Sequence, residues 1–137
     1  MLIAHGPLGY LIAYATQRYW QPLVAKPQHK LVFWAAAIGG IFPDIDLLYF
    51  YFIDSTISHR QLLTHSFLIY GVLLVLGLLW LRLIPYVKTS AVCLVLFTVG
   101  AISHVCADML IGMAIGLSPL SNVMFGLISI SWYRDSI

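Results

Sequence analysis

The chain has 137 residues, of which 61% are hydrophobic and 9% are charged, and its mean hydropathy is +0.94. A soluble domain averages about half apolar and about a quarter charged residues, so this composition excludes an ordinary soluble globule and a disordered chain. The net charge of +2 is too small to indicate nucleic-acid binding. We predict a small integral membrane protein with a single domain over residues 1–137.

Four apolar stretches follow one another along the chain, at residues 2–16, 31–53, 67–84 and 91–117. A bilayer core of about 30 Å needs about 20 helical residues, so the second and fourth stretches are long enough to cross it and the third nearly so. The first either continues through Tyr19 and Trp20 to cross the bilayer or sits re-entrant against its neighbours, and Pro119 is expected to break the fourth. No basic segment precedes the first stretch, so we expect no cleavable signal peptide. The pattern predicts an all-α, multi-pass bundle of about four membrane helices.

A kink is predicted within the second stretch, where Gly39 and Gly40 are followed by Pro43. Glycine weakens a helix and proline removes a backbone hydrogen bond, so such runs bend or break helices. Broken helices at membrane depth line binding sites, because their free backbone groups need partners. The kink therefore favours a site near Asp44 and Asp46, which follow it.

The basic residues are unevenly distributed between the predicted loops. Loops 17–30 and 82–90 carry five of them: Arg18, Lys26, Lys30, Arg82 and Lys88. The opposite side carries only Arg60 and Arg134. Cytoplasmic loops carry an excess of Lys and Arg, so we predict that the five cations face the cytoplasm.

Ionisable residues within membrane segments are costly and are usually functional. Asp44 lies thirteen residues from Leu31, and His104 lies thirteen from Ala91. At 1.5 Å per helical residue, both are about 20 Å from the cytoplasmic face. Asp108 is one turn beyond His104 on the same helix face, about 6 Å away, as two ligands of one ion require. The shared depth predicts one site in the outer third of the bilayer, opening to the periplasmic or outer face.

The site residues also admit plainer interpretations. A single membrane histidine such as His5 is often a packing residue that makes one hydrogen bond, and Asp44 after Pro43 can simply cap a helix. A functional interpretation rests on the convergence of the whole set. Histidine and aspartate together suit zinc or another divalent ion, and clustered carboxylates in a low dielectric need a cation for compensation.

In chain order these residues resemble the membrane-bound, metal-dependent hydrolases of the LexA-regulated, YdjM-like family. The motifs that carry the resemblance are His5…Gly9, Gly40-Ile41-Phe42-Pro43-Asp44-Ile45-Asp46, His59-Arg60…Thr64-His65-Ser66, Ser103-His104…Asp108 and Gly116-Leu117-Ser118-Pro119. The family is considered similar to zinc-dependent phospholipase C and P1-type nucleases. The resemblance implies an all-helical enzyme of the bacterial inner membrane.

The same resemblance implies a set of metal ligands by position. They are His5, Asp44, His59, His104 and Asp108. The soluble enzymes have a further histidine and an HxxxE-type pair, which nothing after Asp108 supplies, so one or two ions are expected. Gln61 stands where the family commonly has glycine after its His-Arg pair.

We therefore expect a metal-dependent hydrolase that acts on a phosphoester or lipid-linked ester through activated water. Arg60 is the candidate for clamping a phosphate, and Asp46 or His65 for a general base or an outer partner of a ligand. Membrane lipid is the expected partner and substrate class, and nucleic acid is not expected. The alternative is a non-catalytic membrane protein in which the metal is structural or transported.

Overall fold

The computed structural model describes residues 2–54 and 62–112, and beyond them residues 114–115, 117, 119–120 and 124–126. The described residues form six α-helices: α1 (Leu2–Ala15), α2 (Gln17–Trp20), α3 (His29–Ile41), α4 (Asp46–Phe52), α5 (Phe67–Leu83) and α6 (Lys88–Ile111). Short 3₁₀ turns lie between them at Gln21–Leu23, Lys26–Gln28, Phe42–Ile45, Leu63–His65 and Pro85–Val87. The predicted helical fold class is therefore confirmed for residues 2–54 and 62–112.

Two helical segments are long and apolar enough to cross a membrane, Lys26–Phe52 and Lys88–Leu110. They overlap the second and fourth apolar stretches of the sequence. The third stretch forms the shorter apolar helix Phe67–Leu83. With 14 residues, α1 is about 21 Å long and falls short of a bilayer core. Membrane crossing by α1 and α5 stays a prediction.

The second apolar stretch is divided at the place where the sequence predicts a kink. Helix α3 ends at Ile41, one 3₁₀ turn follows over Phe42–Ile45, and α4 begins at Asp46. Pro43 lies in the first turn of that 3₁₀ segment. It cannot donate a backbone hydrogen bond, and its ring obstructs a continuing α-helix. The break places Asp44 in the turn and Asp46 at the start of the next helix.

The fourth stretch is helical for less of its length than the sequence suggests. Helix α6 ends at Ile111, and Gly112 has an extended backbone. Glycine is a weak helix former, so α6 ends there and not at Pro119. Beyond it, two short strands, β1 (Ala114–Ile115) and β2 (Met124–Phe125), form an antiparallel pair that the all-α prediction did not include.

Glycines allow the helices that carry the site to approach closely. A Cβ atom at Gly100 on α6 would overlap the carbonyl oxygen of Ala36 on α3, and one at Gly40 would overlap that of His5 on α1. Helices α3 and α6 run parallel, while α1 is antiparallel to both. Helix α5 packs on α6 near Gly77 and, through Tyr70, near Ala101. The packing brings the start of α1, the end of α3 and the second half of α6 to one end of the bundle.

Candidate metal centre

Six titratable side chains are buried together at this end of the bundle. They are His5, Asp44, Asp46, His65, His104 and Asp108, each at most 8% exposed. They come from α1, the 3₁₀ turn after α3, the start of α4, the turn before α5, and α6. Buried charges are costly unless they are paired or coordinate a metal, so this grouping calls for a specific compensating partner.

Four of these side chains form a group that could hold a metal ion. Asp44, His65, His104 and Asp108 each offer one ligand atom, and these atoms lie within 4.8 Å of one another. His104 Nε2 is 3.4 Å from Asp44 Oδ1 and 3.7 Å from Asp108 Oδ2. His65 Nε2 is 3.4 Å from Asp108 Oδ2. A tetrahedral ion with bonds of about 2.1 Å separates its ligand atoms by about 3.4 Å, so these distances fit one ion.

A backbone carbonyl of α3 fixes the ring orientation of His104. Its Nδ1 lies 2.7 Å from the carbonyl oxygen of Gly40. That carbonyl belongs to the last turn of α3, where backbone oxygens lack partners within the helix and accept other donors. With Nδ1 donating to this carbonyl, Nε2 of the neutral ring carries the lone pair toward Asp44 and Asp108 that metal ligation requires.

His65 is held in the same manner by a carboxylate. Its Nδ1 lies 2.8 Å from Asp46 Oδ2, and the Thr64 hydroxyl donates to the same oxygen at 2.6 Å. The buried Tyr70 hydroxyl donates to the carbonyl oxygen of Thr64 at 2.7 Å. A carboxylate behind a histidine orients the ring and raises its basicity as a ligand.

The charge balance around His65 favours a cation. Burial lowers the pKa of the His65 imidazole, but the hydrogen bonds with Asp108 and Asp46 raise it by more, so the net pKa lies above its ordinary value. The two carboxylates thus stabilise positive charge between them. A proton and a metal ion would compete for that position.

His5 lies beside the four-ligand group. Its Nδ1 is 3.7 Å from Asp44 Oδ2, and its Nε2 is 3.8 Å from Asp108 Oδ1. Among the described residues, His5 Nδ1, Asp44 Oδ2 and His104 Nε2 are buried without a hydrogen-bond partner. Such atoms are rare in folded proteins, and a bound cation would satisfy them. The donor chemistry and the geometry therefore fit a metal centre.

The structure brings together most of the residues that the sequence singles out. His5, Asp44, His104 and Asp108 converge, and Asp46 and His65 join them. His59 and Arg60 lie outside the described residues. His65 is one of the four residues whose atoms could hold a metal ion, whereas the sequence suggested it as a general base or an outer partner of a ligand. The sequence signal for this role is that His65 comes two residues before the apolar helix α5, where its side chain is buried.

A family model described as YdjM inner membrane protein matches residues 1–136. No curated protein and no solved structure matches the chain. The family and the two candidate spans support the predicted inner membrane location. The expected similarity to phospholipase C and to P1-type nucleases has no support from these comparisons.

Proposed function

Since the chain belongs to the YdjM inner membrane protein family, we propose that it is a multi-pass membrane hydrolase with a metal centre built on Asp44, His65, His104 and Asp108. The substrate would be a phosphoester or a lipid-linked ester. The observation that carries the proposal is the convergence of four ligand atoms within 4.8 Å, from three separate segments of the chain. Two of the ligands are histidines with carbonyl or carboxylate partners behind them, an arrangement typical of metal sites.

Zinc is the ion that this donor set suits best. Two imidazole nitrogens and two carboxylate oxygens are donors of borderline character, and catalysis would need a further position on the ion for water. When bound, such an ion lowers the pKa of a water molecule toward neutrality and polarises a phosphoryl or carbonyl group. His5 and the second oxygens of Asp44 and Asp108 offer donors for a second ion, at the distances given above.

The other residues of the site would position ligands and substrate. Asp46 holds His65 through Nδ1 and leaves Nε2 directed at Asp108. Arg60 is proposed to clamp a phosphate through two parallel N–H donors, which lysine cannot supply. His59 stays a candidate ligand on the strength of its sequence motif.

The polarity of the bundle supports the proposed orientation. The buried acids and histidines lie at one end, while Arg18, Lys30 and Lys88 lie at the beginnings and ends of helices at the other. By the excess of basic residues, the second end is cytoplasmic and the metal centre opens to the periplasmic side. A site at that depth can receive the headgroup of a membrane lipid.

A structural metal is the second candidate, and one observation favours it. The four ligands join α6 to the turn before α4 and to the turn before α5, so an ion would hold these segments together without any turnover. Transport fits less well. Between the centre and the basic end the buried core is formed by Val32, Ala36 and Leu96, and the Thr98 hydroxyl donates to its own helix at Leu94. The described residues show no polar path toward the cytoplasm.

Elemental analysis of the purified protein in detergent, combined with turnover on a panel of phosphodiester lipids, separates these functions. We expect wild-type protein to retain zinc and to hydrolyse at least one lipid, and His104→Ala to lose both. His29→Ala is the matched control, because His29 bonds the carbonyl of Val24 away from the centre. Bound metal without turnover on any lipid would assign a structural role. Full activity in metal-free His104→Ala would overturn both proposals.

A further inference from the structure

An apolar groove lies at the end of the bundle away from the metal centre. It has a volume of about 260 Å³ and is bordered by α1, α2, α5 and α6, with Ile12, Tyr19, Leu81 and Val95 among its lining residues. The few polar atoms in the lining have partners within the protein. The Thr16 hydroxyl donates to the Ile12 carbonyl at 2.7 Å, and Trp20 Nε1 donates to the Ala13 carbonyl at 2.9 Å. The groove therefore offers a hydrocarbon surface to its occupant.

One cation contacts a lining residue of this groove, and two more lie close to lining residues along the chain. The Arg18 guanidinium lies 4.6 Å from the centre of the Tyr19 ring and donates to the Tyr19 hydroxyl. Because Tyr19 lines the groove, these contacts fix Arg18 at its rim. Arg82 follows the lining residue Leu81, and Lys88 precedes the lining residue Val92 by one helical turn.

Among the described residues, no carboxylate balances the positive charge at this end. The acids of the metal centre lie at the opposite end of the bundle, and Asp54 follows α4. In the ranges that the structure describes, none of the five cations of this end forms an ion pair. An anionic ligand would supply the missing charge, and a guanidinium binds phosphate through two hydrogen bonds.

We propose that this groove binds an anionic phospholipid. One acyl chain lies along α6 between α1 and α5, and the phosphate contacts Arg18. The apolar lining selects a hydrocarbon chain, the cationic rim selects a negative headgroup, and the inner membrane supplies lipids that have both. On the proposed orientation the rim faces the cytoplasmic leaflet, where anionic lipids attract basic segments. The lipid would be a bound partner at a site separate from the metal centre, and its binding does not depend on hydrolysis.

Trp20 can serve as a fluorescent probe of the groove, because its side chain lines the groove and is only 3% exposed. A variant with Trp34, Trp80 and Trp132 replaced by Phe leaves Trp20 as the sole tryptophan. It is reconstituted in phosphatidylcholine vesicles that contain equal fractions of either brominated phosphatidylglycerol or brominated phosphatidylcholine. Bromine quenches tryptophan fluorescence at contact, so quenching measures which lipid lies in the groove. We expect stronger quenching by the phosphatidylglycerol.

Two charge variants in the Trp20-only protein test the assigned phosphate contact. Arg18→Gln should lower the apparent preference for phosphatidylglycerol about fivefold, the effect of one cation near a membrane surface. Lys26→Gln removes the same charge from the same end, away from the lining residues, and should lower it less. Equal quenching by the two lipids would overturn the proposal. Equal effects of the two variants would overturn it as well, because they would show attraction to surface charge alone.

Discussion

The imidazole of His104 on α6 lies behind the last turn of α3, with Nδ1 2.7 Å from the carbonyl oxygen of Gly40. The Gly40 carbonyl of one candidate membrane span thus orients the His104 ring of the other, so that Nε2 faces the carboxylates. The relationship depends on close helix packing, since Gly40 also lies against the carbonyl of His5. The candidate metal centre and the helix interface are therefore one structural unit.

Gly40→Ala is expected to damage that unit. The added methyl group would overlap the His5 carbonyl, and overpacking of this kind costs about 1–3 kcal/mol. We expect a lower melting temperature in detergent and weaker metal retention. Gly71→Ala is the matched control, because a Cβ there meets no atom within 4 Å, and it should melt at or above the wild-type temperature. Equal melting of the two variants would contradict the close approach.

Asp46→Asn should weaken metal binding without removing a ligand of the four-atom group. The amide is uncharged and holds the His65 imidazole less strongly than the carboxylate does. Loss of such an outer partner typically lowers metal affinity about 10- to 100-fold. Competition with a chromophoric chelator measures the affinity. Thr64→Val, which removes one hydrogen bond to the same carboxylate, should have a smaller effect in the same direction. Unchanged affinity in Asp46→Asn would separate Asp46 from the centre.

His5→Ala and His65→Ala should differ in how much metal remains bound. His65 contributes to the four-ligand group, whereas His5 lies beside it. We therefore expect His65→Ala to lose the ion, and His5→Ala to retain about one zinc per chain. Elemental analysis of both purified variants measures this. Full loss in His5→Ala with retention in His65→Ala would reverse the assigned roles.

Removal of the metal should destabilise the wild-type protein specifically. An ion that binds only the folded state adds about 2.7 kcal/mol of stability when its free concentration is about 100 times Kd. We expect a chelator to lower the melting temperature of the wild type and to leave that of His104→Ala unchanged. Re-addition of zinc should restore only the wild type. Equal chelator effects on both proteins would argue against a site at His104.

The orientation can be read from cysteine accessibility. In a Cys93→Ser, Cys106→Ser background, a single cysteine at Ser58 should react with an impermeant maleimide in intact spheroplasts. A single cysteine at Gln21, next to the basic segment, should react only after lysis. The reverse pattern would place the metal centre on the cytoplasmic side.

The sequence predicts the helical class, the break at Pro43 and the pairing of His104 with Asp108, because each depends on local geometry. Helical periodicity and the missing proline donor act within a few residues. The ligand position of His65 depends instead on contacts with Asp46 and Asp108, which lie 19 and 43 residues away in the chain. The end of α6 before Gly112 could likewise not be predicted from the sequence, because membrane helices often continue through a glycine within an apolar run.

The order of the ligands along the chain has a consequence for biosynthesis. Asp44 and His65 are synthesised well before His104 and Asp108, which come from the last long helix of the described chain. Insertion of individual helices precedes their association in the bilayer. The candidate metal centre can therefore form only after α6 has packed against α3. On the proposed function, metal acquisition would be a late maturation step, and a chain truncated before α6 would lack two of the four candidate ligands.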